Sequence, residues 1–515
     1  MEKGWFGRKL NHTKEAYLTP KESLWKESRN GKMLDLESDR FKKAFVYIDG
    51  FRQSTIRTQP REDKKTGAIN LGESKFLVPN TDRFGILFYW DSYFMMQPNL
   101  YNSAGRELAR STIQAFSTLL DKKGFIPNAS TDVFLNSSQA PLYSSMIMDT
   151  YLNSPKEEQD AEWLRKYIDY AKEEYHNVWN NPDDFAKGKD GIGSNHHYKA
   201  EYGLSKYGDR DGDYSWNAER ESGWDFTSRF GNVAIDYLPI DLNCFLYKYE
   251  IDFAKAAEIL GNQDEKEMWL EKANERKKKI NDLMWDEKKG YFFDYNYRTG
   301  KKSPFYSLAS FSAIWSGLAS EDQAKSMSSY LSKSKKKTRE GKAFNNGLGL
   351  MVTDKASLPK INQEDLSGFG EHFRERIRRT LGRREELTPQ EAASEEITGK
   401  QWDYPHVWAP TEHMVIVGLL NYAKSPNINH AEKTQFKNLA KELMEDYLVT
   451  LLDIFEKEGT FPEKFNGMTG KAGNGAHYAK QSGFGWTCST FEEFAKYYLP
   501  QIYQEDGMAG RRLVS

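Results

Sequence analysis

Apolar positions along this chain recur with the spacing of buried helix faces from about residue 100 onward. Ile113, Phe116, Leu119 and Leu120 fall three to four positions apart, as do Leu242, Phe245, Leu246, Tyr249 and Phe253. Met414, Val417 and Leu420, and then Leu439, Leu443, Tyr447 and Leu451, repeat the pattern. No stretch alternates with period two for long enough to predict a large sheet, so the chain reads as mostly α. One punctuation device recurs, in which a charged residue and a glycine are followed by an aromatic segment. It occurs as Lys123-Gly124-Phe125-Ile126-Pro127-Asn128, Lys289-Gly290-Tyr291-Phe292-Phe293-Asp294 and Glu458-Gly459-Thr460-Phe461-Pro462-Glu463. Glycine in the left-handed conformation ends a helix, and an extended hairpin can follow it. Either these are simple helix stops, or they are the connections of a toroid of helix pairs that all emerge on one face. The spacing is too long for a short solenoid repeat.

Two segments depart from this pattern. Residues 1–70 are polar and rich in Lys and Arg, and are expected to form an extension wrapping a main body of residues 71–515. Residues 356–396 are strongly charged, with Arg374-Glu375-Arg376 and Arg383-Arg384-Glu385-Glu386 among them. Thr388-Pro389-Gln390-Glu391 has the form of a helix start, with Thr388 as N-cap and proline at the first helical position. The segment reads as a solvated helical insertion, and its mixed charge argues against a basic docking patch.

Composition narrows the function classes. Among 515 residues, 73 Lys and Arg face 75 acidic residues, and the net charge of -2 offers no electrostatic case for nucleic acid or an anionic membrane. The longest apolar run, Met414 to Leu420, is far shorter than the ~20 residues a bilayer span requires. Cys244 and Cys488 are the only cysteines, so there is no disulfide framework and no metal-type Cys spacing. The polar stretch from Met1 to Pro20 lacks the apolar segment of a secretory signal, and a cytoplasmic protein is expected. The unusual quantity is a 14% aromatic share, with 13 Trp. Flat rings suit the C–H faces of sugars, as they also suit a large core.

Trp-Asp occurs four times, at 90–91, 224–225, 285–286 and 402–403. A carboxylate can take hydrogen bonds from vicinal hydroxyls while a neighbouring ring covers the apolar face of a sugar. The competing reading makes each Trp a core residue and each Asp a helix cap. At Trp285-Asp286, beside a helix end and a hairpin, the structural reading prevails. The other three pairs sit in aromatic or glycine-rich settings that favour a sugar site. Hydrolysis of a glycosidic bond by the common route needs two carboxyl groups, one protonated and one ionised. Asp225, after Gly223-Trp224, and Glu463, after Phe461-Pro462, stand out by their neighbours.

The ordered set of segments resembles the trehalase family of glycosidases over about residues 76–500. Phe-Leu-Val-Pro-Asn-Thr-Asp-Arg-Phe (76–84), leading into Tyr-Trp-Asp-Ser-Tyr-Phe, resembles its first signature, and Gln-Trp-Asp-Tyr-Pro-His-Val-Trp-Ala-Pro (401–410) its second. Ser-Gly-Trp-Asp-Phe-Thr-Ser-Arg (222–229) is similar to the stretch with the catalytic acid, and Pro-Glu-Lys-Phe (462–465) to that with the base. Ser-Gly-Phe-Gly-Trp-Thr (482–487) is similar to a glycine-rich closing loop. The resemblance implies an (α/α)6 toroid, inversion at the anomeric carbon, no cofactor and no metal. It gives Asp225 the role of general acid and Glu463 that of general base. It places substrate contacts on Arg83, Phe84, Trp90, Asp91, Asn128, Gln139, Gly223, Trp402 and His477.

Departures from the family pattern bear on the substrate. The family's Arg-Ser-Gln-Pro is Ser137-Ser138-Gln139-Ala140 here, and its Arg-Pro-Glu-Ser segment is replaced by Tyr207-Gly208-Asp209-Arg210-Asp211-Gly212-Asp213. His477 stands at the glutamate before the closing loop, and Pro405-His406 at a Pro-Asn. Trehalose or a similarly small α-glucoside is the expected substrate. A glucosyl- or mannosyl-glycerate is the alternative, with Lys206, Arg210, His406 and His477 available for its carboxylate. A non-catalytic sugar-binding protein is a further alternative, working as a monomer or small homo-oligomer in any case. Asp209, Asp211 and Asp213 suggest a calcium loop, but Tyr214 and Arg220 occupy the positions of its glycine and bidentate glutamate. Glu412-His413 lacks the second histidine of a zinc motif.

Overall fold

The computed structural model describes residues 34–58, 67–181, 197–208, 215–332, 344–358, 400–473, 481 and 483–506. Almost all of the charged 356–396 insertion lies outside these residues, as do Arg210, the aspartates at 209, 211 and 213, and His477.

Helices alternate between two kinds. Tyr89–Met96, Tyr143–Leu152, Ile240–Ile259, Leu308–Trp315, Ala409–Ala423 and Gly485–Glu493 are buried on nearly every side. Ser103–Lys123, Ala161–Glu174, Gln263–Met284, Glu321–Ser328, His430–Glu458 and Asp39–Thr55 bury one face. The sequence dictates the division. Gln263–Met284 carries Trp269, Ala273, Arg276, Ile280 and Met284 on one stripe amid lysines and glutamates, whereas Ala409–Ala423 contains Met414-Val415-Ile416-Val417 without interruption. An apolar face confined to one stripe seals an outer layer, and a helix that is apolar all round must be enclosed.

The buried set forms a closed ring. Tyr89–Met96 packs on Tyr143–Leu152, which packs on Ile240–Ile259, and that helix on Ser312–Trp315. Ser312–Trp315 meets Ala409–Ala423, which meets Gly485–Glu493, and Gly485–Glu493 returns to Tyr89–Met96. Six inner segments enclosed by six outer ones make an (α/α)6 toroid, in agreement with the sequence reading. One apolar core runs from Leu34 to Tyr503, and the Asp39–Thr55 helix contributes Phe41, Ala44 and Ile48 to it. No described helix is long and apolar enough to cross a membrane.

Short antiparallel strands connect the helices. His406–Trp408, Lys464–Asn466 and Lys471–Ala472 form one such sheet, with Trp408 opposite Lys464. The glycine stops differ from one another. Gly124 and Gly459 cap their helices in the left-handed conformation, and the Gly459 N–H donates to Phe455 O at 2.8 Å. At Lys289-Gly290 the expectation of a helix stop is corrected. The helix ends at Met284, and Gly290 instead turns the hairpin between Trp285–Asp286 and Tyr291–Phe292. Backbone pairing of Trp285 with Phe292 replaces the last helical turn there.

Candidate active site

Segments singled out in the sequence converge on one group of carboxyls. Asp91 occupies the first turn of the inner helix Tyr89–Met96, so its carboxyl is fixed by a rigid element. Asp225 follows the short helix Ser215–Glu221 and is half-buried, whereas Asp91 and Glu463 are buried. Glu463 lies between the Gly459 cap and the strand Lys464–Asn466. These three carboxyls come from three separate segments and act electrostatically on one another.

Environment raises two of these carboxyls. Burial pushes the Asp225 carboxyl up to about 7; the Arg220 guanidinium opposes that rise, and the Glu463 charge adds to it. Burial also raises Asp91 well above the usual carboxylate range, countered by a backbone hydrogen bond and reinforced by Glu463 and then Asp225. Beside Glu463 the Lys464 ammonium stands 3.4 Å from Oε2, itself buried and 4.6 Å above the Trp408 ring. The Glu463 carbonyl accepts hydrogen bonds from Trp486 Nε1 at 2.9 Å and Thr487 Oγ1 at 3.3 Å, which fasten it to the first turn of the inner helix Gly485–Glu493.

Tryptophans wall this group of carboxyls. Trp402 lies face to face with Trp408, with centroids 4.0 Å apart, and with Trp224 at 5.3 Å. Trp90 is 5.6 Å from Trp402, and Trp486 meets Trp90, Trp402 and Trp408 edge-on. Gly223 is required by this packing: its φ is +79°, and a Cβ there would stand 2.7 Å from Trp90 Cε2. Phe226, just past Asp225, also has a positive φ, 63°, which costs on the order of 1–3 kcal/mol for a non-glycine residue. Its carbonyl accepts from Trp402 N at 3.2 Å, and Glu219 accepts from Thr227 N at 2.9 Å. These bonds hold the strained segment in place.

Other residues expected at the site brace the segments that carry it. Gln139 Oε1 accepts the Trp90 N–H at 3.1 Å. Asn128 is buried, and its backbone bonds both Ser137 O and Tyr89 N. Phe84 meets Phe88 and Phe484 edge-on, with the Arg83 guanidinium 6.0 Å from its ring centroid. Asn80 ties this signature to the closing loop through Gly483 O at 2.8 Å. The fourth Trp-Asp pair is a structural brace: Asp403 accepts from Ser228 N at 2.9 Å and from Thr227 Oγ1 at 3.0 Å. Trp402 thus lines the wall while its neighbour holds the segment that follows Asp225. Sequence reasoning did not select Trp408, Trp486, Glu219 or Arg220 as site residues. Trp408 and Trp486 lie inside motifs that were recognised, but Glu219 and Arg220 carry no motif signal.

The trehalase family profile matches residues 25–357 and 371–498, most of the chain. The chain belongs to the trehalase family. It is therefore a glycoside hydrolase. The fold is similar to that of neutral trehalase Nth1 from Saccharomyces cerevisiae, at 24% identity and TM-score 0.61 over 85% of this chain and 76% of that one. It is also similar to an uncharacterized conserved protein from Thermus thermophilus, at 14% identity and TM-score 0.53 over 89% of this chain and 100% of that one. The GH63 mannosylglycerate hydrolase of the same organism matches at 15% identity and TM-score 0.51, over 88% of this chain and 99% of that one.

Proposed function

We propose that the protein is an inverting glycosidase of trehalose or a similarly small α-glucoside, with Asp225 as general acid and Glu463 as general base. The observation that carries this reading is the meeting of three carboxyls, from three separate segments, beside a cluster of tryptophans. Asp225, raised to about 7 chiefly by burial, holds a proton near neutral pH and delivers it to the departing glycosidic oxygen. Glu463, with Lys464 as counter-charge, takes a proton from the water that attacks the opposite face of the sugar. Asp91 accepts hydrogen bonds from ring hydroxyls, and Trp90 and Trp402 cover the apolar face. Arg83, Phe84, Asn128, Gln139 and Gly223 complete the same proposal, with His477 outside the described residues.

Membership of a hydrolase family takes the place of the binding-protein alternative. A glycerate-bearing substrate is a second reading, with the buried Lys206 as the cation for its carboxylate and Arg210 and His477 outside the described residues. His406 weakens it, because burial and the nearby Lys464 charge push its pKa down to about 3 and leave the imidazole neutral. The decisive experiment offers trehalose, glucosylglycerate and mannosylglycerate in parallel and follows released sugar by NMR before mutarotation. Trehalose should give one α- and one β-glucose together. Release of the α-anomer alone from the cleaved glucosyl unit refutes inversion and the role given to Glu463.

A further inference from the structure

Arg220 has no part in the proton transfers described above. It is 7% exposed, on the last turn of the Ser215–Glu221 helix and ahead of Asp225 in the chain. Its Nη2 donates to Asn136 Oδ1 at 2.8 Å, Ser137 Oγ at 3.3 Å and Asn217 Oδ1 at 3.1 Å. The next residue, Glu221, accepts from Ser138 N at 2.8 Å and Gly208 N at 2.7 Å, and meets His197 Nε2 at 2.9 Å. Two adjacent side chains therefore clamp three successive residues, 136 to 138, and the fourth, Gln139, holds the Trp90 N–H.

Taking a guanidinium out of water costs several kcal/mol, which these hydrogen bonds offset. The charge bears on Asp225. Glu463 reaches that carboxyl from the strand side, Asp91 from the inner helix, and Glu219 from the helix that carries Arg220, and all three are acidic. Lys464 stands beside Glu463, and Lys400 bears on Glu219. Arg220 offsets burial and acidic neighbours. A carboxyl held too firmly protonated is a poor proton donor, because donation is most efficient when the acid's pKa is near the working pH.

We propose that Arg220 is a positioning residue for the acid step: it locks the 136–139 turn to the segment bearing Asp225 and holds a fixed positive charge beside that carboxyl. This rests on the reading of Asp225 as general acid. The test compares Arg220→Gln and Arg220→Lys in the full chain by two readouts. One is the pH profile of kcat/KM on trehalose. The other is the titration of the Asp225 ¹³Cγ resonance, identified by its absence in Asp225→Asn, and it needs no substrate. In Arg220→Gln the titration and the alkaline limb should both move up by about one pH unit or more, with kcat about tenfold lower or worse. Arg220→Lys should titrate where the wild type does, because the charge is kept, yet show a lowered kcat because the fork is lost. An unmoved Asp225 titration in Arg220→Gln overturns the electrostatic role, and a wild-type kcat in Arg220→Lys overturns the clamp. Should Arg220→Gln fail to fold, the Lys variant decides alone, since a displaced titration there is equally fatal. An active Asp225→Asn would instead sink the acid assignment, leaving the titration arm to report on Arg220 by itself.

Discussion

Replacing Gly223 with alanine tests the coupling between the acid segment and the tryptophan wall. Two penalties are separable. The backbone there has φ +79°, and the left-handed region costs an L-residue roughly 1–2 kcal/mol. The new Cβ would stand 2.7 Å from Trp90 Cε2 and 2.9 Å from Cζ2. Carbon pairs are comfortable at ~3.5–4.0 Å, so the indole has to retreat by about 1 Å. Overpacking of this kind costs typically ~1–3 kcal/mol. Gly231→Ala is the control, because its φ is +55° and no atom lies within 4 Å of the built Cβ. For a chain of this length each kcal/mol lowers Tm by about 1 °C, so the control should lose about 1–2 °C and Gly223→Ala about 2–5 °C. Activity separates them further. Trp90 precedes Asp91 and faces Trp402, and a misplacement of ~1 Å in a catalytic array can cost ~10²-fold. Calorimetry and kcat/KM on the cleaved substrate supply both numbers. Equal losses in the two variants would refute the steric argument and reduce Gly223 to a backbone requirement.

Three further outcomes follow from the same geometry. Asp225→Asn and Glu463→Gln should each lower kcat by ~10²–10⁴ while sugar binding, read by calorimetric titration, survives; near-wild-type turnover in either removes that residue from the mechanism. The wild-type kcat/KM should fall as pH rises through about 7, where Asp225 loses its proton, and this limb should vanish in Asp225→Asn. Glu412, fully enclosed and pushed up to about 8 by burial, binds its proton more tightly folded than unfolded. Its contribution to stability is complete below about 4.5 and is lost as pH rises through about 8. Glu412→Gln should therefore gain in Tm over the wild type across that window, and a difference constant with pH would contradict the assignment.

Much of the fold is readable from periodicity, because burial on every side and burial on one face leave different residue patterns. Ala409–Ala423 and Gln263–Met284 are the clearest pair. The role of Gly290 is not readable from its neighbours, since the pairing of Trp285 and Asp286 with residues after the turn makes it a hairpin glycine and not a helix stop. Within the candidate site, Trp90, Asp91, Asp225, Trp402 and Glu463 are legible as motif residues. Whether Asp403 faces a ligand or a backbone is settled by the Thr227–Ser228 segment, 175 positions away from it. Arg220 is equally hidden: its value depends on meeting residues 136 and 137, and no local pattern records that encounter.

The closed inner ring has a consequence for the order of synthesis. Its seam joins Gly485–Glu493 to Tyr89–Met96, and the Asp39–Thr55 helix straps it from outside through Phe41 and Phe491 and through Arg40 with Asp453. Tyr503 Oη even accepts the backbone N–H of Leu34, 469 positions earlier. A chain emerging from the ribosome can zip successive helix hairpins from local contacts, but it presents an open arc with Trp90 and Asp91 at one exposed edge. Glu463 lies on the far bank of that gap. The carboxyls of Asp91 and Glu463 therefore come together only when the ends of the arc meet.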